Sequence, residues 1–169
     1  MKKLITFIAL ALCLVGCGTS QFVPQEYPLR AGLIPSLNVN GIVVINNDQN
    51  SKDPAIVYSY MGTKLATNYN KVTEVMVVQA AKELKNNAIV KNSPIKKSIN
   101  IKVNYLLSTY GIMYWKSELK YTAALGNGKT INKVVTHGSG VLIQDLDGCI
   151  SESVIDLFKD ETVKAYLAE

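Results

Sequence analysis

The sequence predicts an α+β fold, a two-layer domain in which a mainly antiparallel sheet packs against two principal helices. Three observations point there. Ile99, Ile101, Val103, Tyr105 and Leu107 alternate with Asn100, Lys102 and Asn104, the period of a strand with one wet face. Val72, Val75, Met76, Gln79, Ala80 and Leu84 recur at three- and four-residue spacing, the period of a helix that buries one side. Asn127-Gly128 separates two strand-like runs, and both residue types tolerate the positive φ that a tight hairpin requires.

Along the chain, residues 18–36 carry three of the five prolines, Pro24, Pro28 and Pro35, without a sustained period, and read as a tether. Tyr27, Leu29, Leu33 and Ile34 give that tether apolar groups able to dock. Residues 37–47 alternate as a strand, with Ile42 and Val44 breaking into the polar parity as a strand centre covered on both faces would. Residues 46–54 read as a polar turn, and 56–60 as a short strand. The helix over 70–87 takes Asn70 as its N-cap, Glu74 as favourable charge in its early turn and Asn86-Asn87 as its stop. Its Ala80-Ala81 pair allows close approach to a sheet. After the strand at 99–107 and a turn near Gly111, Trp115, Leu119, Tyr121 and Ala123 keep one parity against Lys116, Glu118 and Lys120. Residues 130–135 return as a strand. Ile150, Val154, Leu157 and Phe158 form the stripe of a second helix started by Asp147, and Asp160 caps a last short one holding Val163, Tyr166 and Leu167.

The first residues differ in kind from the rest. Lys2 and Lys3 precede an uncharged apolar run over 4–15, which ends in Leu14-Val15-Gly16-Cys17. A basic head, a short apolar core and small residues before a cut are the marks of a secretory signal, and the core is short for a permanent span. Leu14-Val15-Gly16-Cys17 resembles the lipobox of bacterial lipoproteins. That resemblance implies removal of residues 1–16, diacylglyceryl modification of the Cys17 thiol and acylation of its new amino group by a palmitate-type chain. Two or more acyl chains exceed the marginal anchoring of one. In the same class an aspartate after the cysteine commonly retains the protein in the inner membrane. Gly18 stands there, so the resemblance implies the outer membrane, with the body facing the periplasm.

Cysteine usage agrees. Cys13 leaves with the signal and Cys17 carries lipid, so Cys149 remains alone among apolar neighbours, as a buried thiol and not a bridge or metal ligand. The formal charge of +5 falls to +3 once Lys2 and Lys3 are removed, 16 basic residues standing against 13 acidic ones. The lysines are scattered and no aromatic-interleaved basic stripe occurs, which argues against nucleic acid as a partner.

From residue 37 onward the layout resembles the YajG-like group of small bacterial lipoproteins. The strand-rich stretches at 99–105 and 118–124 carry it. So do the turn Gly126-Asn127-Gly128-Lys129 with its following strand and glycine-bearing link, and a closing amphipathic helix with the tail at 160–167. The chain departs from that layout in its short Asn-rich segment between the first strand and the first helix. The resemblance implies an envelope location more than any activity. The organisation expected is therefore a signal peptide at 1–16, a lipidated N-terminus and tether at 17–36, and a periplasmic α+β domain at 37–169.

Candidate chemistry is sparse. His137, the single histidine, lies between Thr136 and Gly138-Ser139-Gly140 in what reads as a flexible link, and no serine has a nucleophile-elbow context. Gly138-Ser139-Gly140 and Gly126-Asn127-Gly128-Lys129-Thr130 lack the full phosphate-loop pattern. Asp145, Asp147 and Gly148 imitate the start of a calcium loop, but Cys149, Ile150 and Asp156 occupy positions five, six and twelve. No catalytic residue, metal or cofactor is assigned. The aromatic residues are the better lead. Tyr110, Tyr114 and Trp115 cluster at a strand end and turn, either as a partner-binding surface or as the rim of a small core. The function expected is a non-catalytic envelope protein, membrane-held through its lipid, that binds a protein partner or serves as an accessory subunit. The alternative is a module binding lipid, glycan or peptidoglycan.

Overall fold

The structure, a computed structural model, describes residues 18–169; the signal peptide expected at 1–16 and the lipidation expected at Cys17 lie outside the described residues. The chain runs β1 (Thr19–Gln21), β2 (Leu37–Asn47), β3 (Ala55–Tyr60), β4 (Thr63–Thr67), α1 (Tyr69–Asn87), β5 (Ala88–Tyr110), β6 (Trp115–Leu125), β7 (Thr130–Ser139), α2 (Leu142–Lys159) and α3 (Glu161–Ala168). It is an α+β fold, with helices over one face of a seven-stranded sheet. The sheet is mixed, not mainly antiparallel. β3–β4, β5–β6 and β6–β7 are antiparallel, whereas β1–β4, β2–β5 and β3–β5 are parallel. The parallel pairing of β2 with β5 follows from the crossover between them, which contains α1 and lays it against both strands.

β5 is the spine, 23 residues long. Its first half pairs with β2; its second half lies between β6 and the end of β3. Two irregularities let one strand serve both. Opposite Gly41 the β5 register jumps from Lys91 to Lys96, so residues 92–95, with Pro94 and its missing N–H, sit out of the ladder. A bulge between Val103 and Tyr105 then moves the inward parity by one residue. Ile99, Ile101 and Val103 are buried as their alternation predicts. Beyond the bulge, Leu106 and Ser108 are buried, while Tyr105 and Leu107 are only half-buried. The opposite face stays wet: Asn46 donates to Asn100, and Asn104 to Thr122, whose hydroxyl donates to Asn132.

The N-cap of α1 lies two residues before the Asn70 that the sequence suggests. Asn68 is the N-cap, its side chain accepting from the Lys71 N–H at 2.9 Å. α2 begins at Leu142, not at Asp147, which sits inside the helix. Its carboxylate instead accepts from the Gln25 backbone N–H at 3.0 Å. Burial pushes the Asp147 carboxyl above its usual range, partly offset by that N–H.

That contact belongs to a larger departure from the expected tether. β1 is in the sheet, Phe22 and Ile34 are core residues, and Gln79 on α1 donates to the Tyr27 carbonyl at 2.7 Å. Ser151 on α2 donates to Gln79 at 2.9 Å. The folded body thus begins by Thr19 and not at Leu37. The 22–36 segment forms no strand or helix, and two polar groups of its backbone, Gln25 N–H and the Tyr27 carbonyl, find partners in Asp147 and Gln79 on the helices.

α3 closes the core from the C-terminal side. Asp160 caps it, accepting from Thr162 N at 2.8 Å and Val163 N at 3.3 Å. The same carboxylate holds Lys133 on β7 at 2.8 Å. Burial opposes ionisation of Asp160, but the Lys133 hydrogen bond and the two N–H donors outweigh it, and its pKa is lowered. A depressed carboxyl contributes stability above its unfolded value and loses it as pH falls through the folded one. Asp160→Ala is therefore expected to lower stability by about 1–2 kcal/mol near neutral pH. Thermal melts of both proteins should converge as pH falls below the ordinary carboxyl value of 3.8. A gap that stays constant into acid would contradict the assignment.

Candidate functional site

The three aromatic residues singled out by sequence do meet, at the end of the molecule where β3 and β5 finish and β4 and β6 begin. The Asn104 bulge is responsible for part of this. It turns Ser108 and Tyr110 to the helix side of the sheet, the side on which Trp115 lies. The Tyr110 and Trp115 rings are 5.2 Å apart between centroids, and Tyr60 from β3 adds a third ring 5.1 Å from Tyr110. Tilted contacts at this spacing suit aromatic quadrupoles. Tyr114 lies in the turn, its ring over Gly111, where a Cβ would stand 3.1 Å from Cε1; Gly111 N donates to the Tyr114 carbonyl at 2.8 Å.

Their environments differ. Tyr110 and Tyr114 are exposed, whereas Trp115 is half-buried against the core, with Nε1 buried and lacking a hydrogen-bond partner among the described residues. Tyr110 and Tyr114 are thus open to solvent, and Trp115 packs against the Tyr110 ring.

Of the hairpin turns around this stack, the one at Gly111 is read from the sequence and the one at Met61-Gly62 is not. Met61-Gly62 joins β3 to β4 as a two-residue turn with φ of 46° and 81°, both left-handed. Met113, in the β5–β6 turn, has φ of 68°. Both methionines and Ile112 are almost fully exposed. Methionine is an unusual occupant of left-handed backbone, so Met61 and Met113 themselves carry no turn signal. The hairpin that Asn127-Gly128 predicts forms at the other end of β6. There Leu125 N donates to the Lys129 carbonyl at 2.8 Å, and only Gly128 of the pair takes positive φ.

The remaining candidate residues are placed in structural roles. His137 lies inside β7, not in a flexible link, and is half-buried with its ring against Gly148 of α2. The absence of a Cβ at Gly148 gives that ring its room. The Ser139 hydroxyl accepts from Val141 N at 3.3 Å. Asp145 lies wholly buried in the first turn of α2 and accepts from the Ser108 hydroxyl at 2.6 Å and from the Ser117 hydroxyl. Asp156 accepts from the Tyr121 hydroxyl at 3.0 Å. Cys149 is buried, and burial, aided by Asp145 and Glu152, pushes its thiol far up, away from the reactive thiolate.

No family model matches the chain, and no curated protein matches it. Solved structures do. Lipoprotein GNA1162 from Neisseria meningitidis is similar at 14% identity over 70% of this chain and 96% of that one, with a TM-score of 0.34. The PelC dodecamer protein from Paraburkholderia phytofirmans is similar at 13% identity over 72% and 90%, TM-score 0.33. A Helicobacter pylori protein described as a neuraminyllactose-binding hemagglutinin homolog is similar at 8% over 85% and 94%, TM-score 0.33. Likeness at this level decides nothing about what this chain does.

Proposed function

We propose that the protein is a bacterial envelope lipoprotein, exported by residues 1–16, lipid-anchored through Cys17 and working without catalysis, as a protein-binding or accessory subunit. The observation that carries the reading is the sequence Leu14-Val15-Gly16-Cys17, closing an uncharged apolar run that follows Lys2-Lys3. The layout shared with the YajG-like group belongs to the same proposal. Gly18 after the cysteine supports residence at the outer membrane with the body in the periplasm.

The placement of the polar side chains supports a contact role. Asp145, Asp147 and Asp156, the acids of the calcium-loop imitation, are engaged by Ser108, Gln25 and Tyr121. The exposed tyrosines, by contrast, combine large apolar area with a polar handle at low rotamer cost, the composition of a binding surface.

Cys17→Ala should abolish fatty-acid labelling and release the body from membranes, apart from uncleaved precursor. The unsubstituted protein should fractionate with the outer membrane. Acyl labelling that survives the substitution would remove the anchor from Cys17, and recovery in the inner membrane at native expression would overturn the sorting.

A further inference from the structure

The N-terminal end of the described body and its most exposed apolar side chains lie at one end of the molecule. β1 pairs parallel with β4 in the register Thr19↔Lys64, so Gly18 stands level with Thr63, immediately beside the Met61-Gly62 turn. β3 runs parallel with β5, Tyr58 opposite Ser108, and the Tyr60–Tyr110 ring contact joins that turn to the one at 111–114. β7 ends opposite Trp115 and brings Val141 and Ile143, both exposed, to the same end.

Exposure there is extreme. Met61, Ile112 and Met113 are 86%, 88% and 85% exposed. Two of these three sit in left-handed backbone, a strained state for a side-chain-bearing residue that needs a compensating reason. Tyr60, Tyr110 and Tyr114 ring the tips with amphipathic groups, the residue type found where hydrocarbon meets water. Lys64 and Lys116 stand two residues beyond the turns, placed for phosphate headgroups. At the opposite end of β6 the 126–129 hairpin carries Asn127 and Lys129 instead.

We infer that the turns at Met61-Gly62 and 111–114 seat in the headgroup region of the bilayer that holds the Cys17 lipid, so that the domain stands on the membrane by its apolar end. This rests on the lipid anchor proposed above. Only Gly18 separates Cys17 from Thr19, and two residue steps span about 7 Å when extended. An acylated Cys17 therefore holds this end, and no other, against the lipid surface. Met61, Ile112, Met113, Tyr110 and Tyr114 are then lipid contacts, with Trp115 packed behind Tyr110, so the exposed tyrosines serve the membrane and not the protein partner proposed above. A protein partner is left the sheet's polar face and the distal end.

The test uses the full chain, purified with its native N-terminus and reconstituted in phosphatidylethanolamine–phosphatidylglycerol vesicles. Single cysteines M61C, I112C and M113C, and K129C at the distal hairpin, are labelled with an environment-sensitive dye. The parent protein, labelled in parallel, is subtracted as the blank: Cys149 is buried, so any dye it takes reports an unacylated Cys17. Lipids brominated high on the acyl chain should quench the dyes at 61, 112 and 113 at least twofold and leave the dye at 129 unchanged. Mass spectrometry of the same preparations reads the anchor separately. Acylated Cys17 with unquenched tip dyes overturns the inference and leaves the anchor standing. Unmodified Cys17 with quenched tip dyes removes the anchor and keeps the tips as a membrane contact in their own right. Unlabelled I112C that copper–phenanthroline oxidises to a disulfide-linked dimer in the vesicles, while the labelled protein stays unquenched, would give the surface to a second copy of the chain and overturn the inference as well.

Discussion

Gly41→Ala is expected to destabilise the protein by about 3 kcal/mol or more, through backbone strain of roughly 1–3 kcal/mol and overpacking of similar size. Gly41 has φ of +95°, and a Cβ there would overlap the Ile95 carbonyl oxygen and lie 3.0 Å from the carbonyl carbon. The clash is with backbone at the point where β5 departs from β2, so relief would require moving the 92–95 excursion or breaking the ladder beside it. Gly128→Ala provides the comparison. It has φ of +86° with nothing within 4 Å of the added atom, so only strain applies, about 1–2 kcal/mol. Urea unfolding midpoints at matched slope should separate the two variants clearly. Equal losses would mean that the close approach of Ile95 contributes nothing.

Asp145→Ala should have the second large effect, a loss of about 3 kcal/mol. The substitution takes the common acceptor from two buried hydroxyls, Ser108 on β5 and Ser117 on β6, and a buried polar group left unmatched costs about 1–3 kcal/mol. The carboxylate ties the first turn of α2 to two adjacent strands and lies where the helix dipole favours negative charge. Asp145→Asn keeps the shape and an acceptor oxygen and should cost less. The decisive variant is Asp145→Ala combined with Ser108→Ala and Ser117→Ala, which removes every member of the network. It should recover part of the loss, because apolar groups then replace polar ones without leaving orphans. A triple variant less stable than Asp145→Ala alone would show that the hydroxyls have other partners.

Both effects arise from contacts that local sequence does not announce, and the same division runs through the fold. Inward parity at Trp115, Leu119, Tyr121 and Ala123 could be read directly, as could the stripe of α1 and the Asp160 cap. Ser117 interrupts the apolar parity of β6, and Gln79 interrupts the stripe of α1; both are buried and hydrogen-bonded. A polar residue inside an apolar period was the available signal for each network. The candidate site was half-legible. The cluster of Tyr110, Tyr114 and Trp115 follows from their closeness in sequence. Tyr60 and Met61 join it only through the pairing of β3 with β5, some fifty positions apart.

The sequence by itself determined the strands at 37–47, 56–60, 99–107, 115–123 and 130–135 and the stripes of the helices, which side of most of them faces inward, the hairpin at 125–129 and the motif that motivates the lipid anchor. These depend on backbone periods of 2 and 3.6 and on side chains acting within a few residues. Tertiary structure alone decided that the sheet is mixed, that the proline-bearing segment is packed onto α1 and α2, that bulges re-aim β5, and that the apolar turns share one end with the N-terminus. Strand neighbours, bulges and docked segments are chosen by burial and hydrogen bonding between residues far apart in the chain. An alternating pattern identifies a strand's faces but not the strand beside it.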